Sequence, residues 1–270
     1  MINKQEKIKN NIEIINSDIE TGKIKHALFD FDDTISLFRS NWRRSMSGVM
    51  MAAMKKNLDI DSKSAKDFVD NLINQTAGMQ TIQQMELLCE EIQKRGGDCQ
   101  RPEFYKMIYL NDFDEEISEY KIWIKEGMVS REKFMVSGVL PFLKEMHNKG
   151  IILHIASGTD NEYLVQEADI LGISDFFKSI EGASENFSKR KVTQKIAKEA
   201  FGDELIVFGD GFVEIQCAKE VGAISVGVAI DTSNLGNVNK KKRKKLIEAG
   251  ADIIIPDFSQ YSSLLQYLGV

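Results

Sequence analysis

Ala27-Leu28-Phe29-Asp30-Phe31-Asp32-Asp33-Thr34 is an apolar run that stops abruptly in three carboxylates and a threonine. Continuous apolar residues suit a strand buried on both faces of a parallel sheet. Acidic residues at the carboxyl end of such a strand sit where open α/β sheets bind ligands. Carboxylates spaced i, i+2 point along one edge of a strand or its first turn. Such a pair can hold a hard cation, attack an electrophile or exchange protons. Taken alone, the same residues also read as turn-forming or helix-capping aspartates.

Downstream the pattern alternates between strand and helix, as a parallel sheet requires. Apolar strands are predicted at 151–156, 205–208, 224–228 and 251–255. Helices are predicted from Pro141 to Gly150 and at 161–171, 191–200, 213–221 and 261–268. Between Phe38 and Lys133 the periodicity is helical instead. Met46, Val49, Met50 and Met54 form one stripe, Phe68, Leu72 and Ile73 a second, and Met85, Leu87, Leu88 and Ile92 a third. Near the start, Ile8, Ile12, Ile15 and Ile19 fall at helical spacing and predict a helix over 4–20. The expected organisation is an α/β core from residues 1–36 and 137–270, interrupted by an all-helical domain at 37–136.

Composition narrows the classes. The 270 residues are 43% hydrophobic and 28% charged, ordinary values for a soluble globular protein. A net charge of −6 argues against a general nucleic-acid binder. The basic run Asn239–Lys245 is expected to open a short helix with a solvated face. No apolar run approaches the ~18–20 residues of a membrane span. Cys89, Cys99 and Cys217 lack metal-ligand spacing and no signal peptide is evident, so a cytoplasmic location is expected. His26, His147 and His154 also lack ligand spacing and read as structural.

Three further segments follow the acidic stretch in order. They are Ile155-Ala156-Ser157-Gly158-Thr159, Lys189-Arg190-Lys191, and Phe208-Gly209-Asp210-Gly211 with Glu214. With Asp30-Phe31-Asp32-Asp33-Thr34 they make the chain similar to the haloacid dehalogenase superfamily of phosphohydrolases. The resemblance covers 25–36 and 137–260 and leaves the helical insert uncovered. It implies a Rossmann-like parallel sheet flanked by helices, with the insert as a cap.

The resemblance also implies roles. Asp30 is the nucleophile that forms an aspartyl-phosphate. Asp32 is the general acid and base. Lys189, or else Lys191, is the cation that holds the nucleophile. Mg²⁺ is held by the Asp30 carboxylate, the Asp32 backbone carbonyl and the Asp210 carboxylate, with Glu214 binding it directly or through water. Ser157 and the Gly158 N–H bind a phosphoryl oxygen, and Thr34 braces the loop. Asp33 stands where glycine is commonest in the family, at a turn that aspartate tolerates. Arg39 either clamps an anionic part of the substrate or is exposed on the first helix of the insert, as are Arg43 and Arg44. The expected activity is Mg²⁺-dependent hydrolysis of a small phosphorylated metabolite, a sugar phosphate or phosphoglycolate-like compound. A phosphomutase of the β-phosphoglucomutase kind and a non-catalytic binding or scaffold module are the alternatives.

Overall fold

The computed structural model describes residues 8–9, 11–76, 79–201 and 204–270. Eight strands form one sheet: β1 (Ile8–Lys9), β2 (Ile12–Ile14), β3 (His26–Phe29), β4 (Ile152–Asp160), β5 (Phe177–Ala183), β6 (Leu205–Gly209), β7 (Ile224–Val228) and β8 (Ile253–Ile255). Their order is β1-β2-β8-β7-β6-β3-β4-β5. Strands β3 to β8 pair in parallel, and β1 and β2 add antiparallel at one edge. The chain runs outward from β3 through β4 to β5, then crosses back to β6 on the other side of β3. That reversal makes β3 and β6 the topological switch point, where a crevice opens at the carboxyl ends of the strands.

Helices α1 (Trp42–Asn57), α2 (Ser62–Thr76), α3 (Thr81–Lys94) and α4 (Pro102–Lys125) fill the long insertion. Helices α5 (Val139–Asn148), α6 (Asn161–Ile170), α7 (Lys189–Glu199), α8 (Phe212–Glu220), α9 (Lys240–Glu248) and α10 (Tyr261–Leu268) connect or flank the strands. Contacts divide the chain into Met1–Leu37 with Ser130–Val270, and Phe38–Val129. The return to the sheet-bearing unit thus comes before the expected position 137. The reason is local pairing of the incoming and outgoing chain. Leu37 donates its N–H to the Phe134 carbonyl at 2.8 Å, and Val136 donates to that of Ile35 at 2.9 Å.

The sheet is buried on both faces. On one, Phe29 stacks on Phe208 at 4.7 Å between centroids, and Phe142 meets Phe208 edge-on at 5.4 Å. On the other, Leu28, Ala156 and Val207 pack with Val192 and Ile196 of α7. Alternation along each parallel strand therefore buries both sides, which explains the near-continuous apolar runs in the sequence. In the helical unit Met46, Met50 and Met54 of α1 are buried, as are Val69 and Ile73 of α2 and Met85, Leu88 and Ile92 of α3.

Among the described residues of 4–20 the expected helix is not formed. Residues 1–7 and 10 lie outside the described residues, and the rest builds β1, β2 and the segment that follows. Ile12 is buried, and β-branched isoleucines suit strands as well as helices. Asn11 takes a left-handed φ of +64° between the two strands, a turn conformation that asparagine tolerates. Pairing with β8, Glu13 opposite Ile254, then decides for strand over helix. Strand β5 had no clear sequence signal, because only its last two residues are fully buried. No described helix is long and apolar enough to cross a membrane.

Candidate active site

Asp30 follows the last residue of β3, and Asp210 follows the last residue of β6. Strand pairing sets Phe29 beside Phe208, and the Asp30 N–H continues the ladder to the Phe208 carbonyl at 2.9 Å. Two acids from distant parts of the chain are thus delivered to the switch-point crevice by register alone. Beyond Asp30 the chain turns tightly, with the N–H groups of Ile35 and Ser36 both donating to the Phe31 carbonyl at 2.8 and 2.9 Å. Asp33 takes φ +55°, the left-handed conformation for which glycine is the usual residue.

Lys189 opens α7 and is only 7% exposed. Its ammonium donates to Asp30 Oδ1 at 2.7 Å and, by a short contact, to Glu214 Oε1. Burial alone would push this amine toward neutrality, but Asp30 and Glu214 more than offset it and hold it charged. Asp30 is raised well above the usual carboxylate range, first by burial and then by Glu214 and Asp210, against the opposing pull of Lys189. Lys191 is exposed, so helix geometry separates the two lysines that the sequence left as alternatives.

The glycines beside Asp210 make room for Glu214. A Cβ at Gly209 would fall 2.5 Å from the Glu214 Cβ and Cγ, and one at Gly211 would fall 2.7 Å from its Oε2. Glu214 itself is buried in the first turn of α8, with Oε2 carrying no hydrogen bond. The Thr159 hydroxyl donates to Asp32 Oδ2 at 2.6 Å and that of Ser157 reaches the same oxygen at 3.4 Å. The Thr159 N–H returns to Ser157 Oγ at 3.1 Å. Residues 157–159 belong to an extension of β4 with a register shift against β5, so they are not a helix cap.

The donors fit Mg²⁺. They are hard oxygens from only a few side chains, they carry excess negative charge, and one buried carboxylate oxygen of Glu214 has no partner. Among the described residues no group of three or more His, Cys, Asp or Glu side chains is arranged to enclose a metal.

Two expectations are corrected, for Thr34 and the basic run, and one of the two alternatives for Arg39 is removed. The hydroxyl of Thr34 is fully buried and makes no hydrogen bond, so backbone bonds brace the loop instead. Arg39 is buried at 4% exposure and precedes α1, so it is not exposed on that helix, whereas Arg43 and Arg44 are. The basic run is not simply a solvated face. Arg243 makes a two-pronged ion pair with Glu13 at 2.6 and 2.5 Å, and Lys242 donates to Asp210 Oδ2 at 2.6 Å and Asp33 Oδ2 at 3.3 Å. Lys242 and Thr159 are the site residues that the sequence reading did not assign.

The model of the haloacid dehalogenase-like hydrolase family matches residues 24–222, well over half of the chain. The chain belongs to that family. Solved structures agree in fold. A β-phosphoglucomutase from Clostridium difficile superposes with a TM-score of 0.57 at 19% identity, over 91% of this chain and 97% of that one. A predicted phosphoglycolate phosphatase from Haemophilus somnus gives 0.58 at 15% identity, over 90% and 99%. A haloacid dehalogenase-like family hydrolase from Streptococcus pneumoniae gives 0.55 at 16% identity, over 91% and 98%. No curated protein matches this chain.

Proposed function

We propose that this protein is a Mg²⁺-dependent phosphatase of a small phosphorylated metabolite, working through a phosphorylated Asp30. The observation that carries the reading is Lys189, buried between Asp30 and Glu214 beside a crevice edged by Asp30 and Asp210. A buried amine that stays charged neutralises the nucleophile's surroundings and would steady the charge of a transferring phosphoryl group.

Asp30, Asp210 and the Asp32 backbone carbonyl would hold the cation, with Glu214 behind them. When bound, Mg²⁺ would supply the positive charge that lets a carboxylate approach a phosphate dianion. Asp30 attacks phosphorus and the ester oxygen leaves, taking its proton from the Asp32 carboxyl. Asp32, now ionised, removes a proton from water, whose oxygen attacks the acyl phosphate. Inorganic phosphate departs and both carboxyls return to their starting forms. Thr159 and Ser157 hold Asp32 in place for both proton transfers. Ser157 and the Gly158 N–H are assigned to a phosphoryl oxygen.

Substrate choice is assigned to the helical unit, since the core residues serve many substrates within such folds. Its buried Arg39 is the residue assigned to an anionic part of the substrate. Arg39→Ala should raise KM for the true substrate and leave a featureless aryl phosphate nearly unchanged. Equal losses on both would remove that role.

Phosphate release across sugar phosphates, phosphoglycolate and nucleotides tests the activity itself. EDTA should silence it, Mg²⁺ should restore it, and Ca²⁺ should inhibit, because calcium takes more oxygens and would engage both oxygens of Asp30. Activity that survives exhaustive chelation removes the metal role. Isomerisation of a sugar phosphate with little phosphate release would instead make the protein a mutase.

A further inference from the structure

Lys242 lies outside residues 24–222, so the family match gives it no role. It sits in the first turn of α9, where the Asn239 side chain caps the N–H groups of Lys241 and Lys242 at 3.1 and 3.0 Å. The cap fixes the start of the helix and aims Lys242 inward, while Lys240, Lys241, Lys244 and Lys245 remain exposed. Its side chain is 16% exposed, and its hydrogen bonds go to Asp210 and Asp33.

The charges around the crevice are unbalanced. Four carboxylates, those of Asp30, Asp33, Asp210 and Glu214, share the ammonium groups of Lys189 and Lys242. Asp33 adds a carboxylate at a left-handed turn where glycine would serve the backbone better. Its carboxylate is one of the two that hold Lys242. Asp210, the other, is also the residue assigned to the divalent cation.

We propose that Lys242 is a resident counter-cation of the site: it competes with the divalent cation for Asp210, lowers the affinity for that cation, and is retained there by Asp33. The inference rests on the metal site proposed above. Two cations on one carboxylate repel, and in partly buried surroundings charges a few ångströms apart shift binding by a factor of ten or more. The same ammonium offsets the carboxylates that would otherwise repel a phosphate dianion. Removing it should therefore move cation and anion binding in opposite directions, which a loss of packing alone would not do.

Calorimetric titration of the substrate-free protein with MgCl₂ at pH 8, followed by inorganic phosphate, reads both. Lys242→Gln keeps length and helix propensity and should bind Mg²⁺ about tenfold tighter and phosphate more weakly. Lys242→Arg keeps the charge and should restore both towards wild type. Lys241→Gln makes the same net change at an exposed neighbour and should leave Mg²⁺ affinity within about twofold. If Lys242→Gln fails to fold by circular dichroism, Lys242→Ala gives the same readout. Weaker or unchanged Mg²⁺ binding, or equal tightening by Lys241→Gln, overturns the inference. Wild-type protein that shows no Mg²⁺ binding dependent on Asp210 overturns the metal site and this inference with it. Binding that depends on Asp210 but is unmoved by Lys242→Gln overturns this inference alone.

Discussion

His26 opens β3 and Asp30 follows its last residue, so one strand carries a buried polar cluster at each end. At the amino end His26 and His154 stack with ring centroids 5.5 Å apart and ring nitrogens 3.2 Å apart, and His154 Nδ1 lies 2.8 Å from Ser179 Oγ. Burial lowers both imidazoles, His154 to about 4, with nearby Lys178 adding to the shift. At the carboxyl end burial acts on Asp30 in the same sense, against charge, yet Lys189 stays ionised between two carboxylates. The difference is the partner. Imidazoles bonded to each other and to a hydroxyl lose little by becoming neutral. An ammonium with carboxylates on two sides would lose its ion pairs. One end of the strand therefore keeps a buried charge, and the other gives it up.

The largest test of that contrast removes the carboxylate proposed as the nucleophile. Asp30→Asn should abolish both turnover and the phosphoenzyme trapped by acid quench, while leaving the fold intact. Asp32→Asn should lose about 10²–10⁴-fold in rate yet still accumulate phosphoenzyme, since only proton transfer is removed. Robust turnover by Asp30→Asn would sink the covalent route.

Next comes the cation. Lys189→Met leaves Asp30 and Glu214 buried without it, and should cost about 3–5 kcal/mol in denaturant unfolding as well as activity. Lys191→Met, at an exposed position, should stay within about 0.5 kcal/mol. Similar costs for the two would remove the distinction drawn between them.

The smallest effect lies at the amino end. The unfolded imidazole of His154 takes its proton near 6.5, the folded one near about 4. Between those values the unfolded chain binds more protons, so stability rises with pH and is lost on acidification. The groups around it are His26, Lys178, Lys195 and Glu199. His154→Leu should remove about 2–3 kcal/mol of the loss that wild type suffers between pH 7 and pH 4.5. Parallel melting profiles for the two proteins would show that His154 is not the residue that titrates.

The sequence by itself determined the features that depend on near neighbours. Apolar runs ending in Asp30 and Asp210 marked two parallel strands, and alternation with amphipathic helices marked the α/β class. Segment order was enough for the family, and methionine and leucine stripes for the helical unit. Each is a pattern within a few turns of chain, where side-chain period and backbone conformation are coupled directly. The isoleucines at the start show the limit of that coupling. Their spacing fitted a helix, and an edge position beside β8 made them strands.

Only the tertiary structure decided which lysine meets Asp30, what Lys242 touches, and how Asp32 is held. Lys189 lies 159 positions from Asp30, Lys242 lies 209 from Asp33, and Thr159 lies 127 from Asp32. An ion pair or hydrogen bond between such residues leaves no local period to read. Strand register and the first turns of α7 and α9 set these distances, because burial makes an ammonium or a carboxyl depend on whatever partner the fold puts within reach.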